Sequence, residues 1–113
     1  MSDLLQIKRL LRRPQFLAAA KGVSEARGAV VIQRLDRGGG SPHIGLGFTA
    51  TKKIGGAVVR NRAKRRLREA ARAMLADHGV PGSDYVFIAR MGTTERAWDR
   101  LLDDVKSTLT RLA

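Results

Sequence analysis

The alternation of apolar and polar positions divides the chain into helices and strands. Pro14 sits where a helix can begin, because its missing N–H costs nothing in a first turn, and Gln15 to Lys21 read as a short helix closed by Gly22. Ala29-Val30-Val31-Ile32-Gln33-Arg34-Leu35 is β-branched and reads as a strand. Asp36 to Pro42, with three consecutive glycines, reads as a mobile loop or a hairpin turn. Ile44 to Thr51 is a second extended segment, where Gly45 and Gly47 mark either a bulge or a close backbone approach. After Gly55-Gly56 the period changes. Val59, Ala63, Leu67, Ala70, Ala71, Met74 and Leu75 recur at steps of three and four, the signature of a helix with one face on a core. That helix ends near His78, since Gly79 follows and Pro81 lies two residues on. Tyr85 to Arg90 is apolar enough to lie inside a sheet. Thr93 or Thr94 is placed to cap a last helix, along which Trp98, Leu101, Leu102, Val105, Leu109 and Leu112 keep the helical period. No repeat or linker interrupts this order, so residues 1–113 read as one α+β domain with helices on a small sheet.

Charge changes the picture at one place. Between Lys52 and Arg72 nine residues are basic and only Glu69 is acidic. On the long helix Asn61, Arg65, Arg68 and Arg72 form a face opposite the apolar one, flanked by Arg62 and Arg66. A solvated helix face usually pairs opposite signs at i,i+4. Here Arg60/Lys64, Arg62/Arg66, Lys64/Arg68 and Arg68/Arg72 are all like-charged, at a cost of about 1–2 kcal/mol in total. An anion outside the chain offsets that repulsion best. The net charge of +12 and the pI of about 11.6 make the imbalance global, and nucleic acid or another polyanion is the expected ligand.

Other classes of protein fit less well. No apolar run approaches the length of a membrane span, and the single tryptophan and 4% aromatic content disfavour a membrane-surface role. The N-terminus has no signal-peptide layout, since Lys8, Arg9, Arg12 and Arg13 interrupt any apolar stretch, and a cytoplasmic location is expected. Without cysteine there is neither a disulfide framework nor a thiolate metal site. His43 and His78 have no metal-spaced partner. Asp103 and Asp104, adjacent on a helix, point about 100° apart and read as solvated acids rather than a catalytic dyad. The triple glycine at 38–40 lacks the Lys-Ser/Thr of a phosphate loop. No self-sufficient active site and no protein-bound metal are expected. By composition alone Phe16 reads as a core residue.

Thr51-Lys52-Lys53-Ile54-Gly55, followed by Ala57-Val58-Val59-Arg60-Asn61-Arg62-Ala63-Lys64-Arg65-Arg66-Leu67-Arg68-Glu69, resembles the signature of the bacterial ribonuclease P protein component. The likeness extends from Phe16 to Asp84-Tyr85-Val86-Phe87-Ile88-Ala89-Arg90 and the final helix. It implies a fold of helix, three strands, long helix, strand and helix, with a small mixed sheet and a left-handed βαβ crossover. It implies that Arg60, Asn61, Arg62, Lys64, Arg65, Arg66, Arg68 and, continuing that face, Arg72 grip the catalytic RNA of ribonuclease P. It also implies a cleft for the 5′ leader of precursor tRNA, with Phe16 in the cleft and Lys52 and Lys53 beside it. Catalysis in such a particle belongs to magnesium ions on the RNA, so the protein carries no cofactor and is expected to be monomeric without RNA. The chain departs from the family in offering Ala18, Ala19, Ala20 and Ile32 where aromatics are frequent, Gly45 where a basic residue is common, and Gly56 where Asn is frequent. From another class, a structural RNA-binding protein of ribosomal type fits the charge equally.

Overall fold

The computed structural model describes residues 6–113. Its strands are β1 (Ile7–Arg9), β2 (Val23–Arg27), β3 (Val30–Asp36), β4 (Ile44–Thr49) and β5 (Ser83–Ala89); its helices are α1 (Arg13–Ala20), α2 (Ala57–His78) and α3 (Trp98–Leu112). A short 3₁₀ turn, Lys52–Ile54, precedes α2. The sheet order is β1-β4-β5-β3-β2. β1 and β5 both run parallel to β4, whereas β3 is antiparallel to β5 and to β2, so the sheet is mixed. Parallel neighbours need a crossover, and α2 supplies it between β4 and β5. This is the expected α+β domain with one strand more: four strands, not three, precede the long helix. All three residues of β1 are exposed, so no burial pattern announces them.

Alternation along β5 explains why it reads as a continuous apolar run. Tyr85, Phe87 and Ala89 join the main core with Ile32, Ile44, Leu67, Leu75, Leu101, Val105 and Leu109. Val86, pointing to the other face, joins Leu10 and Ala19 in a smaller cluster edged by Phe16. The central strand is covered by α2 on one face and by α1 on the other, while α3 lies over β2 and β3 beside α2. Ala63, Leu67, Ala70, Ala71 and Leu75 are the buried face of α2, as the helical spacing requires.

Boundaries differ where local chemistry overrides the general rule. α1 begins at Arg13, with Pro14 in its first turn; the Gln15 side chain accepts the N–H groups of Leu11 and Arg12 at 2.9 Å each. α2 ends at His78, but Gly79 is extended (φ −80°, ψ 149°) rather than left-handed. A Cβ there would meet Ile44 Cδ1 at 2.7 Å, so space, not conformation, demands the glycine. Neither Thr93 nor Thr94 caps α3, whose N-cap is Ala97. Thr93 is buried instead: its hydroxyl accepts the Arg90 N–H and donates to the Ala29 carbonyl, both at 2.8 Å.

Asp103 and Asp104 are not a solvated pair. Asp103 is exposed, 3.4 Å from Arg27. Asp104 is buried and accepts Arg96 Nε at 3.0 Å, Arg96 Nη2 at 3.1 Å and the Ala29 N–H at 3.1 Å. The carboxylate lies where the α3 period turns inward, and it fastens α3 to the β2–β3 turn.

Candidate nucleic-acid interface

α2 starts from Gly56, whose carbonyl accepts the Arg60 N–H at 2.9 Å. With the small apolar face of the helix against the sheet, its long cationic side chains are turned outward. Asn61, Arg62, Arg65, Arg68 and Arg72 are exposed; Arg60 and Lys64 are half-buried. Among the described residues none of these cations lies within 4.0 Å of a carboxylate, Glu69 included. Among the described residues, therefore, no ion pair compensates the like-charge repulsion inferred from the sequence.

Two recesses open on this face. One, of about 490 Å³, is bounded by Val58, Asn61, Arg62, Lys64, Arg65 and Arg68. The other is a groove of about 510 Å³, with Ile7, Arg9, Leu10 and Phe16 on the β1–α1 side and Lys64, Arg68 and Arg72 on the α2 side. Leu46, Gly47 and Phe48 of β4 complete its lining. Lys64 and Arg68 belong to both recesses, so the cleft and the basic helix form one continuous surface. The Arg68 guanidinium lies 5.5 Å from the centre of the Phe48 ring, within cation–π range, and Phe48 in turn packs on buried Phe87 at 5.7 Å.

The glycines of β4 shape this groove by what they omit. A Cβ on Gly47 would lie 2.6 Å from the Phe16 ring, and one on Gly45 would lie 2.2 Å from Asp84 Oδ1. Both mark close approach rather than a bulge. A basic side chain at position 45 would displace Asp84, which Arg37 holds at 2.6 Å. Of the aromatic-frequent positions, Ala19 and Ile32 are buried in the two cores and line nothing.

Arg66 sits differently from its sequence grouping, and Lys52 and Lys53 stand outside the groove lining. Lys52 and Lys53 are exposed on the 3₁₀ turn, and neither lines the groove. Arg66, grouped with the phosphate-binding arginines, turns inward because the loop entering α3 presents it with carbonyls: Nη1 donates to Thr93 O at 2.7 Å and Nη2 to Arg96 O at 2.6 Å. Arg9 and Phe48, both part of the groove, are not distinguished by the sequence pattern. Phe48 had a usable signal, its even-numbered place in the Ile44–Thr51 segment beside Leu46; Arg9 had none.

His43 stands apart from this surface. Its Nδ1 is 2.9 Å from Ser41 Oγ, and Arg37 donates to its carbonyl oxygen. Desolvation, then the charges of Arg37 and Lys8, hold its pKa below the ordinary value of 6.5, with Asp84 opposing.

A small α+β domain whose cationic helix meets no carboxylate among the described residues, beside an aromatic-edged groove, belongs to the class of proteins that bind a polyanion. Comparison with known proteins narrows that class. Residues 4–113 match the family profile described as Ribonuclease P. The ribonuclease P protein component of Caulobacter vibrioides is 62% identical over 109 residues, covering 96% of this chain and 73% of the relative. That of Ruegeria pomeroyi is 49% identical over 105 residues, covering 91% of this chain and 84% of the relative. The solved RNase P protein of Thermotoga maritima superposes with a TM-score of 0.75 at 26% identity, covering 94% of this chain and 98% of that one. The Staphylococcus aureus RNase P protein gives a TM-score of 0.75, also at 26% identity, over 92% and 94% of the two chains. The chain belongs to the ribonuclease P protein family, whose members are the protein subunit of a tRNA-processing endonuclease.

Proposed function

We propose that the outer face of α2 holds the catalytic RNA of ribonuclease P through Arg60, Asn61, Arg62, Lys64, Arg65, Arg68 and Arg72, and that the groove receives the 5′ leader of precursor tRNA. The observation that carries this reading is the placement of Arg68, which lines both recesses and lies over Phe48. A single strand entering the groove would find Phe16 to pack a base against and guanidinium forks for its phosphates. The two cations shared between the recesses, Lys64 and Arg68, would screen the leader from the catalytic RNA, lowering the repulsion between two polyanions. Arg66, with two amino groups engaged internally, contributes less to phosphate binding than its neighbours.

The protein's part is positioning. Groove-lining side chains are arginine, lysine and apolar residues, and neither guanidinium nor ammonium exchanges protons readily near neutral pH. The two buried carboxylates among the described residues, Asp84 and Asp104, are each held by an arginine. Hydrolysis would be carried by magnesium ions on the RNA, which activate water and stabilise the leaving oxygen. The high positive charge opposes self-association, so the chain meets the RNA as a monomer.

Reconstitution tests this directly. Added to ribonuclease P RNA at low magnesium, the chain should stimulate cleavage at the leader junction of precursor tRNA, whereas the chain with magnesium but no RNA should cut nothing. A site-specific cut by RNA-free protein would overturn the division of labour, and failure to stimulate would favour a purely structural RNA-binding role.

A further inference from the structure

Trp98 is out of keeping with the helix it opens. Leu101, Val105 and Leu109, which continue its apolar series, are fully buried, whereas Trp98 is 40% exposed. The Arg66 guanidinium lies 5.8 Å from the ring centre. That guanidinium is not free to wander, because the carbonyls of Thr93 and Arg96 hold two of its amino groups. An indole is thus presented at the surface with a fixed cation over it. Arg62, exposed and with no carboxylate within 4.0 Å among the described residues, lies one turn earlier on α2, about 6 Å along the helix axis.

We propose that Trp98, braced by Arg66, is a stacking platform for an unpaired base of the RNA that α2 binds, with Arg62 taking the adjoining phosphate. This extends the interface from α2 to the start of α3 and rests on the reading of α2 as an RNA-binding helix. A base offers a flat π-face of matching size to an indole, and such stacking tolerates any base. A duplex keeps its bases stacked inside and offers mainly phosphate and sugar to a protein. The ligand at Trp98 is therefore a looped-out or single-stranded nucleotide. The positive field of α2 delivers nucleic acid to this place.

Trp98 is the chain's only tryptophan, so intrinsic fluorescence reports on this position alone. Titration of the full chain with a bacterial ribonuclease P RNA should quench the emission and reduce its accessibility to acrylamide. Trp98→Phe, which keeps a ring, should retain most of the affinity. Trp98→Leu should lose roughly ten-fold at every salt concentration. The salt dependence should keep its slope, because stacking releases no counterions. A loss accompanied by a flatter slope would mean that the substitution had only disturbed a phosphate contact, and would overturn the platform. So would RNA binding that leaves emission and acrylamide access unchanged, an arm that needs no variant to fold. If the unaltered chain bound no RNA at all, the proposed function itself would fall and the platform with it.

Discussion

Two regions of this molecule use the same residue type in opposite ways. At the seam between α3 and the β2–β3 turn, Arg96 and Arg27 face carboxylates of the same chain, and the Asp104 carboxylate also takes a backbone N–H. In the groove, Lys64, Arg68 and Arg72 stand in a row along one helix, with no carboxylate within 4.0 Å among the described residues. A cation whose partner lies inside the chain acts as a fastener. A cation held among others of its own sign, on a rigid helix, awaits a partner from outside. Net charge alone does not separate the two.

The largest way to break this comparison is at the seam. Asp104→Ala removes the acceptor of Arg96 and of the Ala29 N–H, leaving a part-buried guanidinium without its counter-ion. It should cost about 3–5 kcal/mol of unfolding free energy, measured by urea denaturation. RNA affinity of the fraction that remains folded should not change; a variant as stable as the parent would show that Asp104 fastens nothing. The groove should answer oppositely. Replacing Arg65 and Arg68 by Ala should flatten the salt dependence of RNA affinity by roughly 0.7–0.9 for each phosphate no longer neutralised, while stability holds or rises slightly as like-charge pairs are relieved. Unchanged affinity and slope would remove that face of α2 from the interface.

Phe16 stands between the two regimes, half-buried at the edge of the smaller core and facing the groove. Phe16→Leu keeps most of the apolar volume and should cost under about 1.5 kcal/mol of stability. The same change should weaken binding of precursor tRNA to the reconstituted holoenzyme by about 1–3 kcal/mol, with mature tRNA barely affected. Equal losses for both tRNAs would return Phe16 to a purely structural role.

The smallest effect concerns His43. Its folded pKa is lowered, so the unfolded chain binds the extra proton first as pH falls. Its contribution to stability is complete above the ordinary pKa of 6.5 and is lost as pH drops through the lower folded value. Comparing parent and His43→Gln by denaturant unfolding at pH 7.5 and pH 5 should show the parent losing more; an equal loss would exclude this histidine as the cause.

Legibility followed burial. α2, α3 and β5 were readable because each buries a face and its sequence repeats with the period of that face. β1 and β2 are edge strands whose side chains are mostly exposed, so nothing in residues 7–9 or 23–27 distinguished them from loop. Asp104 was misread for a related reason. The i,i+1 spacing showed that the two aspartates diverge, but not that one diverges toward Arg96, eight residues earlier along the chain. On the functional side, the cationic face of α2 was visible as a charge pattern. A cleft holding Phe16 was expected only through the family resemblance, because the groove joins residues 7–16, 46–48 and 64–72 through a parallel pairing that no local pattern encodes.

The position of β5 has a consequence for how the chain is made. It alone joins β4 to β3, so before it arrives β1–β4 and β3–β2 are two disconnected strand pairs. β5 begins at Ser83, whereas β4 ends at Thr49, and the intervening stretch is mostly α2. At roughly 5–20 residues per second, translation of that stretch takes about 2–7 s. For that interval Ile32, Ile44 and Leu46 have no central strand to pack beside, and α2 has no sheet to cover. The nascent chain is therefore a sticky, strongly cationic polymer until residue 89 has left the ribosome, emerging amid the RNA of the ribosome itself. Closure of the domain is a late, non-local event, and the rate at which β5 docks sets how long that exposure lasts.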